Sequence, residues 1–194
     1  MKARIYLILL VIFLGACVSY AAVSPGEQVY GGLKVNSTQA WNLAPREAVP
    51  GSRPNARVWT QDGILLDRIL TIPAVADGET LFRQESSEQA LPVYRADMLP
   101  NEIEELTESS IAKMFGEGQV SVETAGLRPH QYGDQNGFVF DMNVTVSDGP
   151  NYRGVAGAFT AEQSLYLIIY LGAEPHYFEK HLDEALVIIK GARI

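Results

Sequence analysis

The chain has 194 residues, with 15 basic and 23 acidic side chains and a formal net charge of −8. This negative charge disfavours binding to nucleic acid or to anionic lipid headgroups, because both are anionic and are bound mainly through lysine and arginine. The length fits one domain with its own core.

The N-terminus has the pattern of a secretory leader. Two cations, Lys2 and Arg4, precede an uninterrupted apolar run over 5–13. As a helix, nine residues rise only about 14 Å, which is far short of the roughly 30 Å hydrocarbon core of a bilayer. A permanent transmembrane span is therefore not expected here.

The four residues after this run, Leu14-Gly15-Ala16-Cys17, resemble a bacterial lipobox. The small residues fit a narrow peptidase pocket, and the Cys17 thiol can take a diacylglyceryl group. Cys17 is the only cysteine of the chain, so it cannot form an internal disulfide, and lipidation explains its presence. Two or three acyl chains anchor a protein stably where one is marginal. The sequence thus predicts a signal peptide over 1–16 and a lipid anchor at Cys17.

The alternative is an ordinary signal peptide cut after Ala21, with Ser19 and Ala21 as the small pair. If the chain is cleaved at the lipobox, residues 17–26 form a tether of roughly ten residues that spans about 17 Å, and a single α+β domain follows over 27–194. Loss of 1–16 leaves 13 basic and 23 acidic groups. By resemblance to enterobacterial sorting, Val18 after the cysteine favours the outer membrane, and the inner membrane stays open.

The first half of the domain has few strong signals. A short strand is expected near 28–35, and Pro45–Asn55, with three prolines, is expected to be irregular. The runs 57–60 and 64–72 flank Gln61-Asp62-Gly63, in which Asp62-Gly63 is a strong hairpin signal. The polar run Ala76–Pro92 is predicted to be a mobile segment that Leu81 and Phe82 pin to the body.

The second half is clearer. Pro100 can open a helix that ends at Phe115, before Gly116, and the closing helix is expected over 178–189, starting near Pro175. Period-two patterns over 138–147, 152–160 and 165–171, with 119–127, predict a four-stranded antiparallel meander. The third of these strands is apolar on both faces and is expected to be central. We expect the closing helix to cross the sheet where Gly154, Ala156 and Ala158 permit close approach. Strands in runs with two helices indicate an α+β fold with an antiparallel sheet.

This order of elements resembles the PsbP-like fold, which is shared by an extrinsic subunit of photosystem II, a Ran-binding nuclear import factor and several bacterial lipoproteins. The resemblance rests on Gly32-Leu33-Lys34-Val35, Met98-Leu99-Pro100, Gly137-Phe138 and the Tyr166–Tyr170 strand before the closing helix. The resemblance extends over roughly 28–194, and it concerns the order of the secondary-structure elements rather than sequence identity. The resemblance implies an α/β/α sandwich, and it carries over no functional residue.

No catalytic or metal motif stands out. His176 and His181 are five residues apart, about 140° on a helix, so they do not share a face and are read as solvated helix histidines. The sequence has no Gly-x-Ser-x-Gly elbow and no Gly-Lys-Ser/Thr phosphate loop. We therefore predict no metal and no cofactor.

Three groups of residues stay open to a binding role. Asp67 beside Arg68 in an apolar strand either lines a cleft or finds a cross-strand partner or solvent. Asp141, Asn143 and Thr145 share one strand face and either bind a polar ligand or form a solvated surface. Aromatic residues near the ends of elements are either interface anchors or core packing; Trp59 and Tyr152 are the two chosen as binding candidates.

These observations favour a non-enzymatic, lipid-anchored envelope protein that binds another envelope protein or assists its assembly. The alternative is a periplasmic small-ligand binder with a pocket between the sheet and the Ala76–Pro92 segment. A third reading, an enzyme, would need scattered acids such as Asp67 and Asp141 to converge in one pocket.

Overall fold

The computed structural model describes residues 19–49, 51–84, 90–116 and 118–194. The predicted leader, lipobox and Cys17 lie outside the described residues. Within these ranges the chain forms ten strands, two α-helices and one short 3-10 helix over Arg46–Ala48. The strands are β1 (Ala21–Val23), β2 (Gly26–Tyr30), β3 (Leu33–Ser37), β4 (Trp41–Leu43), β5 (Arg57–Thr60), β6 (Asp67–Val75), β7 (Val120–Tyr132), β8 (Gln135–Val146), β9 (Tyr152–Ala161) and β10 (Ser164–Ala173). The helices are α1 (Pro100–Phe115) and α2 (Tyr177–Lys190).

Eight strands form one antiparallel sheet in the order β1-β4-β5-β6-β10-β9-β8-β7. The predicted meander β7–β10 is confirmed, and β10 lies between β6 and β9 as a central strand. Strands β2 and β3 form a separate hairpin, which backbone hydrogen bonds between Lys34 and Arg193 extend to the C-terminus. The prediction of an antiparallel sheet flanked by helices is therefore confirmed.

Strand β10 is buried on both faces because the sheet carries a core on each side. Leu167 and Ile169 pack on the side of α1, together with the buried side chains of Leu81 and Tyr94. The opposite core contains α2 and the β2–β3 hairpin, and Ile168 packs into it. The result is a three-layer arrangement with helices on both faces of the sheet.

Helix α1 has the bounds that its sequence predicts. Pro100 occupies the first turn, and the Leu99 amide donates to Glu102 Oε2 at 2.6 Å, which satisfies one of the free donors of the helix N-terminus. Gly116 follows the last turn with φ +102°, a backbone conformation that glycine adopts at little cost.

Helix α2 lies on the face opposite to the one predicted. Ala156 and Ala158 belong to the α1 side, whereas α2 packs where Gly157 leaves room. A Cβ at Gly157 would stand 2.5 Å from Ile189 Cγ2 and 2.2 Å from the Tyr132 hydroxyl. A Cβ at Gly172 of β10 would likewise stand 2.4 Å from Phe178 Cα in α2. These two glycines therefore permit the approach of α2, and the small-residue stripe on the other face does not.

The predicted hairpin around Asp62-Gly63 is confirmed, because β5 and β6 pair antiparallel on either side of it; β6 begins only at Asp67, so the connecting loop is 61–66. Two further expectations need correction. The region near 28–35 holds two strands rather than one. The sheet begins with β1 at Ala21, inside the range 17–26 predicted as tether, since Val23 is buried and pairs with Trp41.

The far edge of the sheet is partly closed by α1. The amide of Thr124 in the edge strand β7 donates to Glu108 Oε1 at 2.6 Å, and its hydroxyl donates to the same oxygen at 2.8 Å. A side chain of the helix thus takes a backbone donor that would otherwise face outward.

Candidate functional site

The predicted polar row Asp141, Asn143 and Thr145 lies exposed along one face of β8. The Asp141 carboxylate is already engaged: Arg128 Nη1 and Nη2 donate to its two oxygens at 2.7 and 2.8 Å. This pairing raises the pKa of the Arg128 guanidinium, chiefly through the hydrogen bond to Asp141. The row is exposed and one of its three members is in an ion pair; a binding role for it stays a prediction.

The two predicted aromatic anchors lie in the core. Trp59 has no exposed surface, and it packs against Trp41 and Tyr30. Tyr152 is 6% exposed, and its hydroxyl donates to the carbonyl of Leu65 at 2.8 Å. Neither side chain reaches the surface far enough to anchor a partner.

Asp67 organises the loop that follows β5. Its carboxylate is fully buried and accepts hydrogen bonds from the amides of Gln61 and Asp62, at 2.8 and 2.7 Å, and from the Thr60 hydroxyl at 3.1 Å. These donors offset the desolvation of the buried charge. Asp67 thus serves the backbone of the loop rather than an open cleft.

Arg68, next in sequence, points to the other face. Its guanidinium lies over the Tyr152 ring, 4.9 Å from the centroid, and Nη1 donates to the Ile64 carbonyl at 2.8 Å. Burial lowers the pKa of this arginine. The apolar recess beside it, which Phe82 and Phe115 line, measures only about 40 Å³ and is too small for a metabolite.

His181 differs from its prediction as a solvated histidine. It is 9% exposed, and its Nε2 lies 2.6 Å from Oδ2 of Asp62. Lys180 Nζ lies 2.8 Å from both Asp62 oxygens, and together these partners lower the pKa of Asp62, His181 contributing most. No periodicity signals this cluster, because its members come from one loop and one distant helix.

The donor atoms of Asp62, Asp67 and His181 all lie within 4.8 Å of one another, so these residues are a geometric match for a metal ion. Their charges are already compensated, however. The Lys180 ammonium supplies a cation to Asp62, and three hydrogen bonds are directed at Asp67. The arrangement is that of a structural cluster that ties the 61–66 loop to α2.

A cleft of about 460 Å³ lies where the ligand-binding alternative places a pocket, between the sheet and the segment that follows it. It is lined by the loop before β5, by the end of β6 and by 78–84. The lining residues include Arg53, Pro54, Asn55, Pro73, Ala74, Gly78, Glu79, Thr80 and Arg83. A second recess of about 250 Å³ shares Pro54 and Arg83 and adds Arg46, Glu47, Val49 and Ser52. We call the two together the arginine cleft.

Arg53 holds the two sides of the arginine cleft together. Its side chain is 19% exposed, Nη1 donates to the Thr80 carbonyl at 2.8 Å, and Nη2 is paired with Glu79. A hydrogen bond from the Ala76 amide, followed by the Arg53 contact, keeps the pKa of Glu79 below its usual range. The segment after β6 is thereby fixed at its base, with Leu81 and Phe82 buried as predicted.

Arg46 and Arg83 are exposed, and no ion pair joins either one to an acid among the described residues. With Glu47 and Glu79, the cleft therefore has a small excess of positive charge in an acidic protein. A guanidinium group binds a phosphate or a carboxylate through two parallel hydrogen bonds, so an oxyanion is the ligand class that these arginines favour. Arg46 and Arg53 lie in one loop and Arg83 follows only after β5 and β6, and no motif marks the three.

No protein-family model and no curated protein sequence matches this chain. The solution structure of cyanobacterial PsbP from Synechocystis sp. PCC 6803 is similar in fold, with a TM-score of 0.59 and 14% identity over 93% of this chain and 98% of that one. The PsbP-like fold that the element order indicates is thus confirmed. A crystal structure of LpqN, described as involved in cell envelope biogenesis of Mycobacterium tuberculosis, overlaps 93% of this chain and 86% of that one with a TM-score of 0.36 and 9% identity. That overlap does not establish a shared fold.

No helix among the described residues is long and apolar enough to cross a membrane.

Proposed function

We propose that this chain is a non-enzymatic, lipid-anchored protein of the bacterial cell envelope that binds, or assists the assembly of, another envelope component. The anchor is the Cys17 of the lipobox-like sequence Leu14-Gly15-Ala16-Cys17. Val18 after the cysteine leads us to propose the outer membrane, with the domain facing the periplasm, and the inner membrane remains the alternative.

The observation that carries this proposal is the position of β1. Ala21 pairs with Leu43 and the buried Val23 pairs with Trp41, so the sheet begins four residues after Cys17. Cleavage before Cys17 leaves this strand whole. Cleavage after Ala21 would remove its first residue and put a charged amine on its second. The fold therefore favours processing at the lipobox over the ordinary signal-peptide alternative.

The positions of the carboxylates favour binding over catalysis. Asp67 and Asp141, the acids that an enzyme reading needs in one pocket, lie on β6 and β8, with two strands between them. Three strand spacings amount to about 14 Å. Asp67 is enclosed by its own loop, and Asp141 is paired with Arg128 on the surface. These two acids do not form an acid–base pair.

The test is the intact mass and membrane partitioning of the protein made in a Gram-negative host, with two single variants. The wild type is expected to begin at Cys17 and to carry acyl mass, which Cys17→Ser loses. Ser19→Leu blocks the ordinary cut after Ala21 but leaves the lipobox intact, so it should keep the acyl mass. A wild-type product that starts at Ala22, and that Ser19→Leu abolishes, would overturn the anchor.

The partner is tested by crosslinking in intact cells and capture from membranes, with Cys17→Ser as the mislocalised control. We expect an envelope protein that crosslinks to the anchored form and not to the control. Recovery of nothing above background from the anchored form would count against a binding or assembly role.

The arginine cleft favours a second candidate function, the binding of a small anionic ligand. Here a panel of carboxylates and phosphates should raise the melting temperature of the wild type, and Arg83→Gln should reduce that shift. A flat response over the whole panel would exclude this role for the cleft.

A further inference from the structure

We propose that the arginine cleft faces the bilayer to which the chain is anchored and binds the phosphate groups of anionic lipids there. This inference rests on the proposed lipid anchor at Cys17. It assigns an orientation to the domain and a ligand to a cleft that no motif marks.

The antiparallel register of the first strands carries the geometry. Ala21, the first residue of β1, lies opposite Leu43, the last residue of β4. The end of the sheet at which β1 begins is therefore the end at which β4 stops, and we call it the anchor end. Arg46 follows Leu43 by three residues, within about 10 Å along the chain.

The other parts of the cleft lie at the same end. Leu43 pairs with Trp59 of β5, so the start of β5 at Arg57 is at the anchor end, and Arg53 lies in the loop just before it. Arg57 pairs with Thr71 of β6, which places Pro73 beyond it at that end. Pro73, Arg53 and Arg83 line one cleft. The sheet thus gathers these arginines next to the point where the anchor enters.

The tether is too short to hold this end away from the membrane. Four residue steps separate Cys17 from Ala21, and a fully extended chain covers at most about 14 Å in four steps. Tyr20 is 40% exposed and precedes β1 directly, and tyrosine is enriched at the headgroup level of membranes. The acyl chains would therefore keep the anchor end within reach of the headgroups.

Charge complementarity completes the argument. The domain as a whole is acidic and is repelled by an anionic surface, but the repulsion of charges more than a Debye length from the surface is largely screened. The arginines at the anchor end are in contact range and are not screened in this way. Arg53 is held by Glu79 and Thr80, which leaves the exposed Arg46 and Arg83 as the groups that meet lipid phosphate. Acidic residues at the opposite end of the sheet, such as Asp62, lie away from the membrane surface.

The test is residue-resolved arginine modification of the full lipidated protein with phenylglyoxal. The protein is placed in phosphatidylcholine vesicles, in mixed phosphatidylcholine–phosphatidylglycerol vesicles, and in detergent with or without inorganic phosphate. In the mixed vesicles we expect Arg46 and Arg83 to react about fivefold more slowly than in phosphatidylcholine. Arg153, which pairs with Gly172 at the opposite end of the sheet, should not change.

A paired variant experiment checks that the arginines cause the contact. Because Cys17 is acylated, Asn42→Cys provides a single free thiol for an environment-sensitive dye on the exposed face of β4. The dye should shift to the blue in mixed vesicles. Arg46→Gln with Arg83→Gln should abolish the shift. Arg153→Gln with Lys180→Gln, which removes the same charge at the opposite end, should keep it.

The outcomes separate the two proposals. Equal protection of Arg46 and Arg83 by inorganic phosphate in detergent would assign the cleft to a free anion and overturn the lipid assignment. An acylated protein that shows no protection in any vesicle would overturn the inference and leave the anchor intact. A protein without acyl mass would overturn both.

Discussion

Asp62 and His181 are joined through a 2.6 Å contact between Oδ2 and Nε2, although 119 residues separate them. Asp62 belongs to the loop between β5 and β6, and His181 to the second turn of α2, where its ring also lies 5.9 Å from that of Trp41. This contact fastens one end of the sheet to the helix that covers it.

Replacing Asp62 with alanine should destabilise the protein by about 1–3 kcal/mol, because it leaves the buried His181 without its partner. Lys180→Ala removes only the exposed partner of Asp62 and should cost less, because an exposed ion pair contributes little to stability. Urea unfolding at neutral pH measures both. Equal losses in the two variants would show that the histidine contact contributes nothing beyond the surface ion pair.

The same contact predicts a pH dependence. His181 and Lys180 hold the pKa of Asp62 in the folded protein below its ordinary value near 3.8. The stability it contributes is therefore present above that value and is lost as the pH falls through the lower folded-state pKa. The stability advantage of the wild type over Asp62→Asn should shrink as the pH falls below about 4. The exposed Asp183→Asn is the control, and an Asp62→Asn difference that stays constant at lower pH would contradict the assignment.

Gly157→Ala should destabilise the protein by about 1–3 kcal/mol, the usual range for overpacking a core. The new methyl group would meet the Tyr132 hydroxyl and Ile189 of α2. Gly149→Ala in the exposed β8–β9 turn, where the nearest atom is a valine methyl at 3.1 Å, should change stability by at most about 0.5 kcal/mol. Equal melting temperatures of the two variants would mean that α2 is not seated on Gly157.

Glu108→Ala should increase self-association, because it uncovers the Thr124 amide on the edge strand β7. Sedimentation velocity over a concentration series measures the effect. The control is Glu105→Ala, which removes the same charge from an exposed position on the same helix. If Glu108→Ala and Glu105→Ala self-associate to the same extent, the Glu108 contact does not protect the edge strand β7.

Sequence patterns predicted the elements whose signals are local. Pro100 and Gly116 mark α1 because they act on their own backbone, and the period-two runs mark β8, β9 and β10 because each strand has a consistent pattern of faces. The short strands β1 and β4 have three residues each, too few for a period, and they were missed. Their existence depends on the core that receives Val23 and Trp41.

The side on which α2 packs was predicted wrongly for a related reason. Gly154, Ala156 and Ala158 form a visible stripe of small residues, yet the opposite face of β9 also offers a gap at Gly157, between Val155 and Phe159, and α2 packs there. The Asp62–His181 contact and the arginine cleft are likewise juxtapositions of distant segments. Such sites depend on register and packing, which no single stretch of the sequence encodes.

The central position of β10 has a consequence for how the chain is completed. β6 comes from the first half of the chain, and its open edge finds its partner only when β10 has been made, since Leu70 pairs with Ile169. Until then a nascent chain presents an unpaired edge and two half-built cores, the state most prone to aggregate. Loss of residues 164–194 would therefore do more than shorten the domain at one end. It would remove β10 and divide the sheet into two pieces with no strand to join them.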